Sequence, residues 1–109
     1  MNTITICGNM TDFELRFTTT NKAVFTCGVA THRKINEEEI TTWHKIKAWN
    51  SLAENMAATL TKGDRIIVSG RLEIEQYEDA DGNKRTSVFL VADEAGKSLK
   101  WVKSLDGQE

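Results

Sequence analysis

No apolar run in this 109-residue sequence approaches the roughly 20 residues that a membrane-crossing helix requires. The start, Met1-Asn2-Thr3-Ile4-Thr5-Ile6, lacks the basic opening and long apolar core of a secretion signal. The expectation is a cytosolic protein with no membrane partner. Cysteine is scarce: Cys7 and Cys27 each sit in an apolar, strand-like run, which reads as two reduced core thiols. With His32 and His44 they make four side chains able to ligate a metal. None is close-paired, as metal sites usually require, so neither a metal nor another cofactor is expected. A basic excess is missing too. Asp and Glu number 16 against 14 Lys and Arg, for a formal charge of -2 and a pI near 5.7. The whole chain thus carries no electrostatic signature of a nucleic-acid partner. A local patch can still hold an anion, because fields reach only about 10 Å at moderate salt. Nothing sets a Ser or Cys beside a His with an orienting carboxylate, and no enzyme is expected.

What is present suits one compact unit. A charged fraction of 28% and a hydrophobic fraction of 39% are ordinary for a globular domain, and the length allows a single core. Thr3 to Cys7 alternates polar and apolar residues, a first strand halted at Gly8-Asn9, with Phe13, Leu15 and Phe17 continuing the alternation. Ala23 to Thr31 is a second strand. Arg33 to Glu39 is polar, basic and then acidic, and reads as a hairpin loop before a third strand at Thr41–Trp49. Ser51 and Glu54 fit a capping box opening a short helix. Leu52, Met56 and Leu60 give that helix an apolar face, and Lys62-Gly63 ends it. Arg65 to Ile74 is the next strand, with a bulge or sharp bend at Gly70. Asp79 to Asn83 is turn chemistry that joins 71–77 to 84–92 as a hairpin. Gly96 to Val102 adds a last short strand through Leu99 and Trp101. The fold class is therefore all-β with one short helix. Five strands with the helix between the third and fourth give the order of the OB-fold, a five-stranded Greek-key barrel.

The segment Trp43-His44-Lys45-Ile46-Lys47-Ala48-Trp49 carries the most chemistry. On a strand, Trp43, Lys45, Lys47 and Trp49 share one face, and His44, Ile46 and Ala48 share the other. Two indoles bracketing two ammonium groups suit single-stranded nucleic acid, with bases stacked on the rings at roughly 1–3 kcal/mol each and phosphates beside the cations. A half-buried strand with its tryptophans packed under a loop produces the same pattern, and both readings stay open on the stripe alone.

The ordered set of motifs resembles the bacterial-type single-stranded DNA-binding protein family. Gly8-Asn9-Met10-Thr11, Glu14-Leu15-Arg16-Phe17 and Val29-Ala30-Thr31 carry the resemblance early in the chain. Thr42-Trp43-His44-Lys45-Ile46, Leu52-Ala53-Glu54, Leu60, Lys62-Gly63-Asp64, Val68-Ser69-Gly70-Arg71-Leu72 and Asp81-Gly82-Asn83-Lys84-Arg85 continue it. Together they span residues 2–102. The resemblance implies an OB domain over 1–103, with 104–109 a short flexible end, assembled as a homo-oligomer, with a tetramer favoured and a dimer the alternative. It implies stacking residues at Trp43, Trp49 and Tyr77. His44 falls at a position of subunit contact, and a hydrogen-bonded barrel histidine is the other reading. Arg33, Lys34, Lys45, Lys47, Lys62, Arg71, Lys84 and Arg85 are the candidate phosphate contacts. Arg33 and Lys34 are placed at a loop mouth, and Lys62 chiefly at the helix C-terminus. Phe17, Phe25 and Phe89 are assigned to the core or to subunit contact, and Trp101 to the barrel.

Departures from the family pattern are specific. Phe13 stands where a proline is usual, in a segment one residue shorter. Ile35 stands where a further aromatic is usual. Glu37, Glu38 and Glu39 crowd the loop between the second and third strands. Glu73 and Glu75 share the parity of Tyr77, where cations are common, so positive potential on that flank is expected to be reduced. The sequence stops at Asp106-Gly107-Gln108-Glu109, resembling a short form without the family's long acidic tail. The function so implied is sequence-independent binding and protection of single-stranded DNA in replication, recombination and repair. The site of action would be the bacterial cytoplasm at the nucleoid, from a chromosome, plasmid or phage, with replication proteins as further partners. Two alternatives are a primosome or replication-accessory OB protein acting mainly as a docking dimer, and an OB domain that makes only protein contacts.

Overall fold

A computed structural model describes residues 2–100. Five strands, β1 (Ile4–Phe17), β2 (Ala23–Ile35), β3 (Glu38–Trp49), β4 (Arg65–Glu78) and β5 (Lys84–Lys97), are joined by one helix, α1 (Asn50–Thr59), between β3 and β4. They close into a barrel in the order β1-β2-β3-β5-β4. Every pairing is antiparallel except β3 with β5, which run parallel. This is the OB topology expected from the element order.

Closure depends on β1. Its first half, Ile4–Asn9, pairs with β4, and its second half, Asn9–Phe17, pairs with β2. The strand is not halted at Gly8-Asn9 as the sequence suggested. Glycine is needed at position 8 for closeness of approach, since a Cβ there would lie 2.3 Å from the Ala30 carbonyl oxygen. One extra residue between Met10 and Phe13 forms a bulge, and the Thr11 hydroxyl of that bulge accepts the Gly28 N–H at 2.9 Å. The Gly70 irregularity is also real: Ser69 pairs with Glu94 and Gly70 with Ala92, so the extra residue is Asp93 of β5. A Cβ at Gly70 would meet the Val91 carbonyl oxygen at 2.0 Å.

Alternating inward residues fill the barrel, with Phe25, Val29, Ile46, Ile66, Val68 and Leu90 almost wholly buried. Helix α1 packs on β2, β3, β1 and β5 and adds Ala53 and Met56 to that core, followed by Leu60. The capping box does not form. The N-cap is Trp49 with no side-chain cap hydrogen bond, and Asn50 turns the chain with φ 61°. Helix geometry ends at Thr59, the Leu60 N–H bonding to the Met56 carbonyl. Gly63, at φ 93°, lies in the turn beyond, where its N–H reaches the Met10 carbonyl at 2.8 Å.

Two further assignments change. The supposed loop from Arg33 to Glu39 is mostly strand: β2 and β3 stay paired out to Ile35 and Glu38. A two-residue turn at Asn36 and Glu37 joins them, with φ 51° and 68°. Both central residues in the left-handed region match the hand of a twisted hairpin. Arg33 and Lys34 are therefore strand residues, not loop residues. The proposed last strand is the end of β5, which reaches Lys97. Leu99 is exposed, and Trp101 and the expected flexible end at 104–109 lie outside the described residues. The 79–83 turn is as expected. Asp79 accepts the N–H groups of Asp81 and Asn83 at 2.9 and 3.0 Å.

Candidate nucleic-acid interface

Strand alternation in β3 is as the sequence implied. Ile46 and Ala48 are fully buried, which turns Trp43, Lys45, Lys47 and Trp49 to the outer face. Trp43 is 66% and Trp49 39% exposed, so neither indole is packed away within this chain. Six residue steps along the strand separate them, or about 20 Å of extended backbone.

The neighbouring strands extend this face. The parallel pairing of β3 with β5 sets Lys45 beside Phe89, and the β4–β5 ladder sets Phe89 opposite Glu73, Ser87 opposite Glu75 and Arg85 opposite Tyr77. Tyr77 is 51% exposed. On β2, Lys34 lies opposite Glu39 and His32 opposite Thr41, with the parity of Trp43. The outer face thus unites Trp43, Trp49, Tyr77, Lys45, Lys47, Lys34, Arg71 and Arg85 from the expected set.

Four expected residues lie elsewhere. Arg33 is opposite Ile40 and Lys84 opposite Glu78, each on the other strand parity. Lys62 lies beyond the last turn of the helix, which carries no basic residue, and pairs with Asp12 at 3.4 Å. His44 is on the inward parity, its Nε2 at 3.0 Å from the Thr31 hydroxyl. Ile35 is exposed at the far end of β2 on the parity of Arg33, and no aromatic residue stands there.

Phe89, expected in the core or at a subunit contact, underlies the platform. The Lys47 ammonium is 4.4 Å and the Lys45 ammonium 5.7 Å from its ring centroid, within cation–π range. Counting outward from the 79–83 turn reveals this: if Tyr77 faces out, so does every second residue of the hairpin, Phe89 included. Phe25 is core and stacks on Phe13 with centroids 5.0 Å apart, whereas Phe17 is exposed.

Carboxylates temper the charge. Lys47 is bonded to Glu75. Arg71 contacts Glu73 at 3.0 Å and Asp93 at 3.5 Å, and Arg85 bonds Asp79 at 2.8 Å. The Arg85 guanidinium and then the Asn83 N–H hold the Asp79 carboxyl below its ordinary value of 3.8. Lys45 donates instead to the Ser87 hydroxyl at 3.1 Å. Among the described residues no carboxylate is in ion-pair range of Lys45, Lys34, Arg33 or Lys84. The expected loss of positive potential near Glu73 and Glu75 therefore has a concrete form, direct pairing with Arg71 and Lys47.

An outward aromatic–cation stripe on an OB barrel can stack planar rings and neutralise phosphates. The sequence profile of the single-strand binding protein family matches residues 1–98. This chain belongs to that family. Family proteins similar to it include the single-stranded DNA-binding protein of Paenarthrobacter aurescens, 41% identical over 107 residues, covering 91% of this chain and 63% of that protein. The single-stranded DNA-binding protein of Mycobacterium tuberculosis (strain H37Rv) is 42% identical over 107 residues, with 91% and 65% covered. That of Corynebacterium glutamicum is 37% identical over 109 residues, with 93% and 48% covered. The chain thus spans less than two-thirds of the length of these family members.

Proposed function

We propose that this chain binds single-stranded DNA without reading its sequence, protecting exposed strands during replication, recombination and repair. The observation that carries the proposal is the outward face on which Trp43, Lys45, Lys47 and Trp49 run together and continue to Phe89 and Tyr77. Bases stack on Trp43, Trp49 and Tyr77, and every base offers a π-face, so sequence tolerance follows. Phosphates are neutralised first by Lys45 and Lys34, the cations of this face without a carboxylate partner among the described residues, and then by Lys47, Arg71 and Arg85. Each neutralised phosphate releases counterion, so affinity falls as salt rises. The working form is a homo-oligomer, a tetramer in preference to a dimer with His44 at the contact, in the bacterial cytoplasm at the nucleoid. Replication proteins are its further partners.

Fluorescence anisotropy with oligo(dT), a mixed-sequence single strand and the matching duplex tests this reading. Comparable affinity for the two single strands and much weaker affinity for the duplex is expected. Equal binding of single strand and duplex would refute it. A second reading, a replication-accessory docking dimer with weak DNA affinity, is favoured by the pairing of Lys47, Arg71 and Arg85 with carboxylates. It is supported instead if single-strand binding disappears at moderate salt.

A further inference from the structure

The centre of the platform is closed by an ion pair. The Lys47 side chain is only 13% exposed, although it stands on the outward face. Three contacts hold it: the Glu75 carboxylate from β4, the Phe89 ring 4.4 Å below the ammonium, and the Trp49 ring at 6.0 Å. The ammonium therefore occupies the space above Phe89 where a base would otherwise lie, and its charge is already spent on Glu75.

We infer that Glu75 sets the affinity of this interface by latching Lys47 over Phe89, withholding one cation and one aromatic face from single-stranded DNA. The inference rests on the single-strand-binding reading and adds to it a residue that opposes binding. A phosphate and Glu75 compete for the same ammonium, and a base reaches Phe89 only when Lys47 swings aside. Among the described residues Lys45 has no such competitor, and its partner is the neutral Ser87 hydroxyl. The two lysines of the stripe are thus unequal: Lys45 meets phosphate directly, and Lys47 only after exchange of an ion pair. Arg71 carries the same restraint from Glu73 and Asp93, but among the described residues it lies over no ring and so masks no stacking surface.

The test is salt-dependent binding of oligo(dT) to the wild-type chain, Glu75→Gln, and Glu54→Gln as a control that removes the same charge from the exposed face of α1. Thermal melting verifies that each variant is folded. Freeing Lys47 adds one phosphate contact, which steepens the log–log salt slope by about 0.7 for a single strand. If the added contact is pure counterion release, vanishing near 1 M salt, binding tightens about eightfold at 50 mM and about threefold at 200 mM. Glu54→Gln is expected to leave the slope at its wild-type value. Lys47→Gln should flatten the slope more in the Glu75→Gln background than in the wild type. A Glu75→Gln protein that matches Glu54→Gln, or binds more weakly than wild type, overturns the latch while leaving single-strand binding intact. Absence of binding by both wild type and Glu75→Gln at low salt overturns the latch and the binding reading together.

Discussion

Replacing Trp43 by alanine separates binding from folding more cleanly than any other single change. The indole is 66% exposed, so about a third of its surface is packed. Full burial of a tryptophan removes about 150–250 Å² from water. A third of that, at about 25 cal/mol per Å², is worth about 1–2 kcal/mol of stability as an upper bound. A barrel core built on Phe25, Ile46 and Leu90 is left untouched. Binding loses one stacked base, worth about 1–3 kcal/mol, which weakens the dissociation constant about 5- to 140-fold. Tryptophan carries no charge, so the salt slope should not move, whereas Lys45→Gln should flatten it by about 0.7. Trp43→Phe keeps a π-face and should recover most of the affinity. The assay is anisotropy of labelled oligo(dT) across a salt series, with thermal melting in parallel. If folded Trp43→Ala binds within twofold of wild type, or folded Trp43→Phe binds as poorly as the alanine variant, stacking at Trp43 is refuted.

Other consequences are equally direct. Gly70→Ala places a Cβ 2.0 Å from the Val91 carbonyl oxygen, and backbone must move; a loss of about 1–3 kcal/mol or more is expected, read as a lower urea midpoint, and an unchanged midpoint would contradict the close approach. Burial pushes the Cys27 thiol up from 9.0 to about 12. Its neutral form is thus favoured by folding, a contribution fully present below pH 9 and lost progressively as pH rises toward 12. Stability should decline over that window, less so in Cys27→Ala once its own baseline is subtracted, and native Cys27 should resist thiol reagents at neutral pH. Asp79 shows the opposite sign: its lowered value means that its contribution is present above the ordinary carboxylate range and lost as pH falls through the folded value. Amide NMR signals of Asp81 and Asn83 should titrate below 3.8, and titration above it would rule out the turn as described.

The parts of the fold that were legible in the sequence are those where one local rule acts alone. Strict alternation located the Trp43–Trp49 stripe, Asp-Gly-Asn chemistry located the 79–83 turn, and a glycine inside an apolar run marked the Gly70 bulge. Misreadings arose where tertiary contacts overrode a local cue. Gly8 looks like a strand terminator, yet it is there to let the Ala30 carbonyl approach. Ser51 and Glu54 have capping-box spacing, but the left-handed Asn50 starts the helix directly from β3. The β2–β3 arm is polar and both its faces are largely solvated, so period-two burial is weak there, and a glutamate at φ 68° is no usual turn signal. The site was readable where parity suffices, as for Trp43 and Tyr77. Ion pairs between strands distant in sequence, such as Lys47 with Glu75, depend on barrel closure and leave no local trace.

Stacking of single-stranded bases on the exposed indoles of one barrel face is read most directly by intrinsic tryptophan fluorescence during titration with oligo(dT). At low salt strong, saturable quenching is expected, reversed by added salt and reduced in both Trp43→Ala and Trp49→Ala. Fluorescence that stays constant at low salt, while anisotropy shows the oligonucleotide to be bound, would contradict it and leave phosphate contacts alone to account for binding.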